Sequence, residues 1–154
     1  MTHVHQINVS KGGVPKLPVD SAWVSTKGLK GDRQAKPGIH GGIYKAVSLF
    51  SLAVIDELAA AGRPIKPGST GENITVSGAL WEKLTPGTIL QIGDTVRLKI
   101  TSYALPCPTI KSSFSDGNVL RMHHNNNRLY SRLYAQVLQE GNIAILAPIW
   151  LPAA

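Results

Sequence analysis

The sequence predicts a mainly β fold with peripheral helices, and three observations carry that expectation. Short alternating or compact apolar runs recur along the 154 residues, one stretch alone has sustained helical spacing, and fifteen glycines and ten prolines punctuate the chain. Many short strands divided by turn residues form the pattern of a closed or nearly closed β-barrel, with loops at its ends. With 43% hydrophobic residues, the composition is that of an ordinary globular protein, and the length suits a single domain, residues 1–154.

Each element has its own signal. Val4–Val9 and Ala22–Thr26 carry short β-type patterns, and Lys45–Phe50 is a compact apolar run after a glycine pair. Ser51 is placed to cap a helix over Leu52–Ala61, which is rich in helix formers and ends at Gly62 with Pro64 beyond. Further strands are expected at Asn73–Val76, Thr88–Ile92 and Val96–Thr101, with one helical turn at residues 80–84. Gly93-Asp94 joins the last two strands as a hairpin. Arg132–Leu138 and Ile143–Ala147 alternate around Glu140-Gly141-Asn142 and read as a final hairpin. The polar stretch Ser112–Asn127 reads as a loop with one short helix, and His123-His124 within it as exposed loop residues. Adjacent histidines point to different faces of a regular element and make a poor metal pair.

Composition narrows the function classes. The N-terminus has neither a basic region nor an apolar core of a secretory signal, and no apolar run is long enough to span a bilayer. A single cysteine cannot form an internal disulfide, so a reducing cytoplasm is the expected setting. The net charge of +7 suggests an anionic partner. Residues 1–45 hold seven basic residues against Asp20 and Asp32, but these are spread among glycines without an aromatic platform or polybasic run. That distribution argues against a nucleic-acid groove and suits loops around a small anion. Exposed strand edges leave room for a homodimer.

Cys107 lies between Pro106 and Pro108, a stiff, non-helical setting that can hold a sulfur at one angle. Taken alone, an isolated cysteine reads as a small buried hydrophobe. Four segments gather polar side chains beside glycine or proline: Gly31-Asp32-Arg33-Gln34, Ile39 to Val47, Pro67 to Ile74, and Leu105-Pro106-Cys107. Glycines let backbone N–H groups turn toward an oxyanion. Singly, His40 reads as a structural histidine, and Glu72-Asn73 as a cap or buttress of a turn.

In this order and spacing, the segments resemble the MOSC domain, the sulfurase C-terminal family of molybdenum-cofactor proteins, and in particular its small YiiM-like members. The resemblance runs through Gly12-Gly13-Val14-Pro15-Lys16, Gly31-Asp32, His40-Gly41-Gly42, Lys45-Ala46-Val47, Pro67-Gly68, Gly71-Glu72-Asn73, Gly87, Ile92-Gly93-Asp94, Pro106-Cys107 and the stretch from Arg132 to Gly141. It implies a mixed β-barrel with the cysteine at the mouth of a positively charged pocket. It further implies molybdenum cofactor, with Cys107 as the metal ligand and with Cys107, His40 and Glu72 as catalytic residues. Lys16, Asp32, Arg33, His40, Gly41, Lys45, Ser69, Glu72, Asn73 and Arg132 are the implied cofactor-binding set; pyridoxal phosphate is not expected in this domain.

The function so implied is reduction of N-hydroxylated bases or amidoximes. One cysteine cannot hold an iron–sulfur cluster, so electrons would come from a separate reductase partner. Two other readings use the same residues: a sulfur carrier with a persulfide on Cys107, and a non-catalytic carrier of the cofactor.

Overall fold

The computed structural model describes residues 1–33, 41–106, 108–114 and 117–153. Its strands are β1 (His3–Val9), β2 (Leu17–Val19), β3 (Ser21–Ser25), β4 (Gly28–Leu29), β5 (Val47–Ser51), β6 (Ile74–Ser77), β7 (Ile89–Ile92), β8 (Val96–Tyr103), β9 (Leu133–Gln139), β10 (Gly141–Ala144) and β11 (Ile149–Trp150). Among the described residues there is one α-helix, α1 (Leu52–Ala60), which follows β5 directly. Short 3-10 turns occupy Ile43–Lys45, Ala79–Lys83, Pro108–Ser113, Val119–Met122 and Arg128–Tyr130.

Eight strands form one sheet in the order β11-β7-β8-β9-β5-β6-β1-β2, and β10-β3-β4 form a second. The β5–β6 pair is parallel, with α1 in the crossover, while the other pairings are antiparallel. The mainly β expectation holds, but the large sheet is not closed into a barrel. Its ends approach through one isolated bridge, His3 to Pro148, with the Val4 N–H donating to Ala147 O at 2.9 Å. Ile149 N donates to Thr2 O at 2.9 Å and Leu146 N to Val4 O at 2.8 Å on either side of it, but the contact remains a single bridge outside the named strand pairings.

The expected final hairpin is also corrected. β9 pairs with β8 and β5, whereas β10 leaves for the other sheet and pairs with β3. The chain changes sheets at Gly141, where a Cβ would lie 2.0 Å from Thr95 Oγ1 and would force that side chain aside. α1 matches its sequence signals: the Ser51 hydroxyl accepts from Val54 N at 3.3 Å, and Val54, Ile55 and Leu58 supply the buried stripe.

The register sorts the sheet faces. Leu133, Leu49, Ile74 and Ile7 lie in one row across β9, β5, β6 and β1, all in the hydrophobic core. One residue out of phase, Ser102, Tyr134 and Ser48 pair across β8, β9 and β5 on the opposite face. Asn73, just before β6, and Asn8 on β1 continue that polar row, since Asn73 N donates to Ser48 O at 2.9 Å and Asn8 N to Asn73 O at 2.7 Å.

Phe50 is fully buried and meets Trp81 edge to face, with centroids 6.3 Å apart. Truncating Phe50→Ala should therefore cost about 3–5 kcal/mol, read as a lower denaturant midpoint with an unchanged slope.

Candidate functional site

The polar row is the floor of the site. Asn73 uses its whole side-chain amide: Oδ1 accepts from Ser48 N (3.1 Å) and Ser48 Oγ (3.3 Å), while Nδ2 donates to Asn8 O (3.3 Å) and Asp32 Oδ2 (2.9 Å). Asp32 is as fully engaged, with Oδ1 accepting from Ser10 N at 3.0 Å and Oδ2 ion-paired to Lys16 Nζ at 2.6 Å. Both partners of that pair are buried. Three loops meet here, around residues 10–16, 30–33 and 66–73. Lys16 N donates to Gly68 O at 2.8 Å, and a Cβ on Gly68 would sit 2.3 Å from Lys16 O. With φ at +87°, Gly68 is a position where the crossing itself demands glycine.

Glu72 is wholly buried beneath this loop. Its Oε2 accepts from Gly68 N and Thr75 Oγ1, both at 3.1 Å, and its Oε1 accepts from Thr70 Oγ1 at 3.0 Å. Burial pushes the carboxyl above the ordinary carboxylate range, and these donors, with its own backbone N–H, offset only part of that shift. The geometry is that of a buttress for the 66–73 loop. Asn8 Nδ2 completes it, donating to Glu72 O at 3.1 Å and Thr75 Oγ1 at 3.2 Å.

Arg132 is buried at the start of β9 and ties two loops together. Its Nη1 donates to Thr70 O at 2.7 Å and its Nη2 to Leu105 O at 3.0 Å, so the 66–73 loop is bound to the segment leading into Cys107. Ser69, another expected ligand, is fixed from within: its Oγ accepts from Lys66 N at 3.1 Å and from Ser113 Oγ at 3.0 Å. Arg33 has an exposed side chain and anchors its backbone N–H on Ser10 O at 2.8 Å. Gly41 is partly exposed, and Lys45 lies with Nζ 5.3 Å from the centre of the Tyr134 ring. Cys107 and His40 lie outside the described residues.

The expected site residues thus divide. Lys16, Asp32, Glu72, Asn73, Ser69 and Arg132 form a buried framework, whereas Arg33, Gly41 and Lys45 lie at its accessible margin. Asn8, Ser48 and Tyr134 belong to the floor and were not singled out in the sequence. Their signal was positional: Ser48 lies among the apolar residues of β5, Asn8 lies between Ile7 and Val9 on β1, and Tyr134 pairs with Ser48. The expectation for His123 and His124 is corrected: both are half-buried and stacked, His124 on Tyr103 at 4.6 Å and 7°, His123 on His124 at 4.7 Å and 18°. Among the described residues, no cluster of His, Cys, Asp and Glu could hold a metal ion. No helix among them is long and apolar enough to cross a membrane.

A mixed-sheet β protein with glycine-rich loops packed over a buried polar floor is the class these features define. The chain belongs to the MOSC domain family, whose model matches residues 36–149. Its fold is similar to YiiM from Geobacillus stearothermophilus, at 23% identity and TM-score 0.73 over 99% of this chain and 76% of that one. YiiM from Escherichia coli is similar at 18% identity and TM-score 0.72, over 100% and 71% of the two chains. The YUAD protein of Bacillus subtilis is similar at 17% identity and TM-score 0.71, over 97% and 94%. Among curated proteins no match was found.

Two predictions follow from the floor and its buttress. Asp32→Asn strands a buried ammonium among donors and should cost about 3–5 kcal/mol, part of which Lys16→Met in the same chain restores; chemical denaturation of both variants checks this. For Glu72, the raised folded pKa means that the protonated form is the one the fold favours. Stability is then fully present below the unfolded carboxyl's pKa and falls as pH rises toward the folded value. Glu72→Gln removes that fall, so the gap between variant and native denaturation midpoints should shift in the variant's favour between pH 4 and 8. Parallel curves would show an ordinary carboxylate.

Proposed function

We propose that this chain binds molybdenum cofactor through Cys107 and reduces N-hydroxylated compounds, N-hydroxylated bases and amidoximes among them. Beyond family membership, the observation that carries this reading is the Arg132 clamp. Its guanidinium bridges Thr70 O and Leu105 O and so puts a fixed buried cation two residues from Cys107 in the chain. A cation beside a thiol favours the thiolate, and a thiolate is the soft donor such a metal takes.

The residues fit the group in type. One thiol is available as ligand, and Arg33, Lys45 and the Gly41-Gly42 amides stand at the open margin, suited to the anionic end of the cofactor. Asp32, Asn73 and Glu72 spend their polar atoms on one another, so their part is to hold the loops in shape. When bound, the cofactor supplies the two-electron chemistry, in which the N–O bond is cleaved with two protons to give the amine or amidine and water. Proton delivery is assigned to His40, and Glu72, its oxygens held by Gly68, Thr70 and Thr75, keeps the 66–73 loop in shape. The electrons come from a separate reductase partner.

The test is metal and pterin content of the protein purified anaerobically from a cofactor-replete host. Near-stoichiometric molybdenum in the native chain and its loss in Cys107→Ser is the expected result. Absence of metal from both, even after reconstitution, defeats the reductase reading and leaves the Cys107 persulfide to be assayed.

A further inference from the structure

A hollow of about 430 Å³ lies between the 3-10 turn Ile43–Lys45 and the β8–β9 pair, lined by Tyr44, Lys45, Lys99, Thr101, Ser102 and Gln136 among others. Resting on the reductase reading above, we propose that this hollow holds the phosphate of a nucleotide substrate, so that the compounds reduced are N-hydroxylated nucleoside monophosphates.

A register shift between Ile100 and Ser102 creates the hollow's wall, because it brings the consecutive hydroxyls of Thr101 and Ser102 to the same opening. The Thr101 hydroxyl is spent on the turn, bonded to Tyr44 O and, at 3.2 Å, to Tyr134 O. That bond holds the 43–45 turn against the strand and fixes the hollow's width. Lys99 and Gln136 face each other across β8 and β9. Among the described residues, the side chains of Lys99, Ser102 and Gln136 have no hydrogen-bond partner, so three donors converge on the opening.

The charge count favours a phosphate monoester. Lys99 lines the hollow beside the Ser102 and Gln136 donors and no acidic residue does, and a monoester carries about −1.5 to −2 at neutral pH. The volume falls in the range of about 300–1,000 Å³ usual for small-molecule sites. Tyr44 is largely exposed and offers an apolar wall to a ribose.

Position links the hollow to the chemistry. Ser102 and Tyr134 begin the outward row that runs through Ser48 and Asn73 to the Lys16–Asp32 pair, so hollow and floor share one face of the sheet. Ser102 precedes Cys107 by five residues, a reach of at most about 18 Å.

Binding of adenosine monophosphate, adenosine and inorganic phosphate to the full chain, followed by NMR titration, tests this without turnover. The monophosphate should bind at least tenfold more tightly than adenosine, and tenfold more weakly to Lys99→Glu than to the native chain. Ser102→Ala, an uncharged change, should weaken it two- to threefold. Equal affinity for monophosphate and adenosine, or indifference to both substitutions, overturns the proposal while leaving the metal-content result untouched. Inorganic phosphate binding as tightly as the nucleotide also overturns it, since the site would then be a bare anion site. Loss of monophosphate binding when the chain is loaded with cofactor would give the hollow to the cofactor's own phosphate instead.

Discussion

The buried pair between Lys16 and Asp32 is the contact on which the site's architecture rests. Removing two charges from water costs several kcal/mol apiece unless partners surround them. Here the carboxylate accepts from Ser10 N and Asn73 Nδ2 as well as from Lys16, so both of its oxygens are satisfied. Ser10 and Lys16 bracket one loop and Asn73 ends another, while Asp32 itself comes from a third. The pair therefore cannot form until residues 10–16, 30–33 and 66–73 have reached their places, and once formed it disfavours any arrangement that parts them. A hydrophobic contact at the same point would stabilise without choosing one arrangement so sharply.

What could be read in the sequence depended on whether the cause was local. α1 was legible because its apolar spacing, its Ser51 cap and its Gly62 terminator all lie within a dozen residues, and the structure follows them. The β7–β8 hairpin was legible for the same reason, its register running from Ile92↔Val96 outward. The parting of β9 from β10 was not, since both strands alternate and only the distant partner β3 decides where β10 goes. β2, β4 and β11 have two or three residues each, too few to show a period. Closure of the barrel failed as an expectation on the same ground, because strand count says nothing about the length of the last ladder.

For the site, residue types were legible and burial was not. Glu72 beside Gly71 looked like an acid available to a substrate, yet Thr70, Thr75 and Gly68 consume its oxygens. Of the two roles considered for Glu72-Asn73, the buttress is the one its geometry matches. Arg132 looked like a ligand for an anion and spends its guanidinium on Thr70 O and Leu105 O. Ser48 and Asn8 escaped attention because a polar residue within a strand ordinarily faces solvent. Only the loops folded over the sheet turn that face into an interior.

A floor of this kind has a consequence for how such a site would work. Side chains whose hydrogen bonds are all committed cannot reorganise when a ligand arrives, so the charges and dipoles they present are set in advance. The adaptable groups are at the margin, where Arg33 keeps a long, exposed side chain. Recognition and support are thereby assigned to different residues. Substitutions in the floor should act mainly through loop geometry and stability, and substitutions at the margin mainly through affinity. The same arrangement takes Lys16 out of the basic surface of the N-terminal third, since its ammonium is committed to Asp32 inside the framework and there supports the loops.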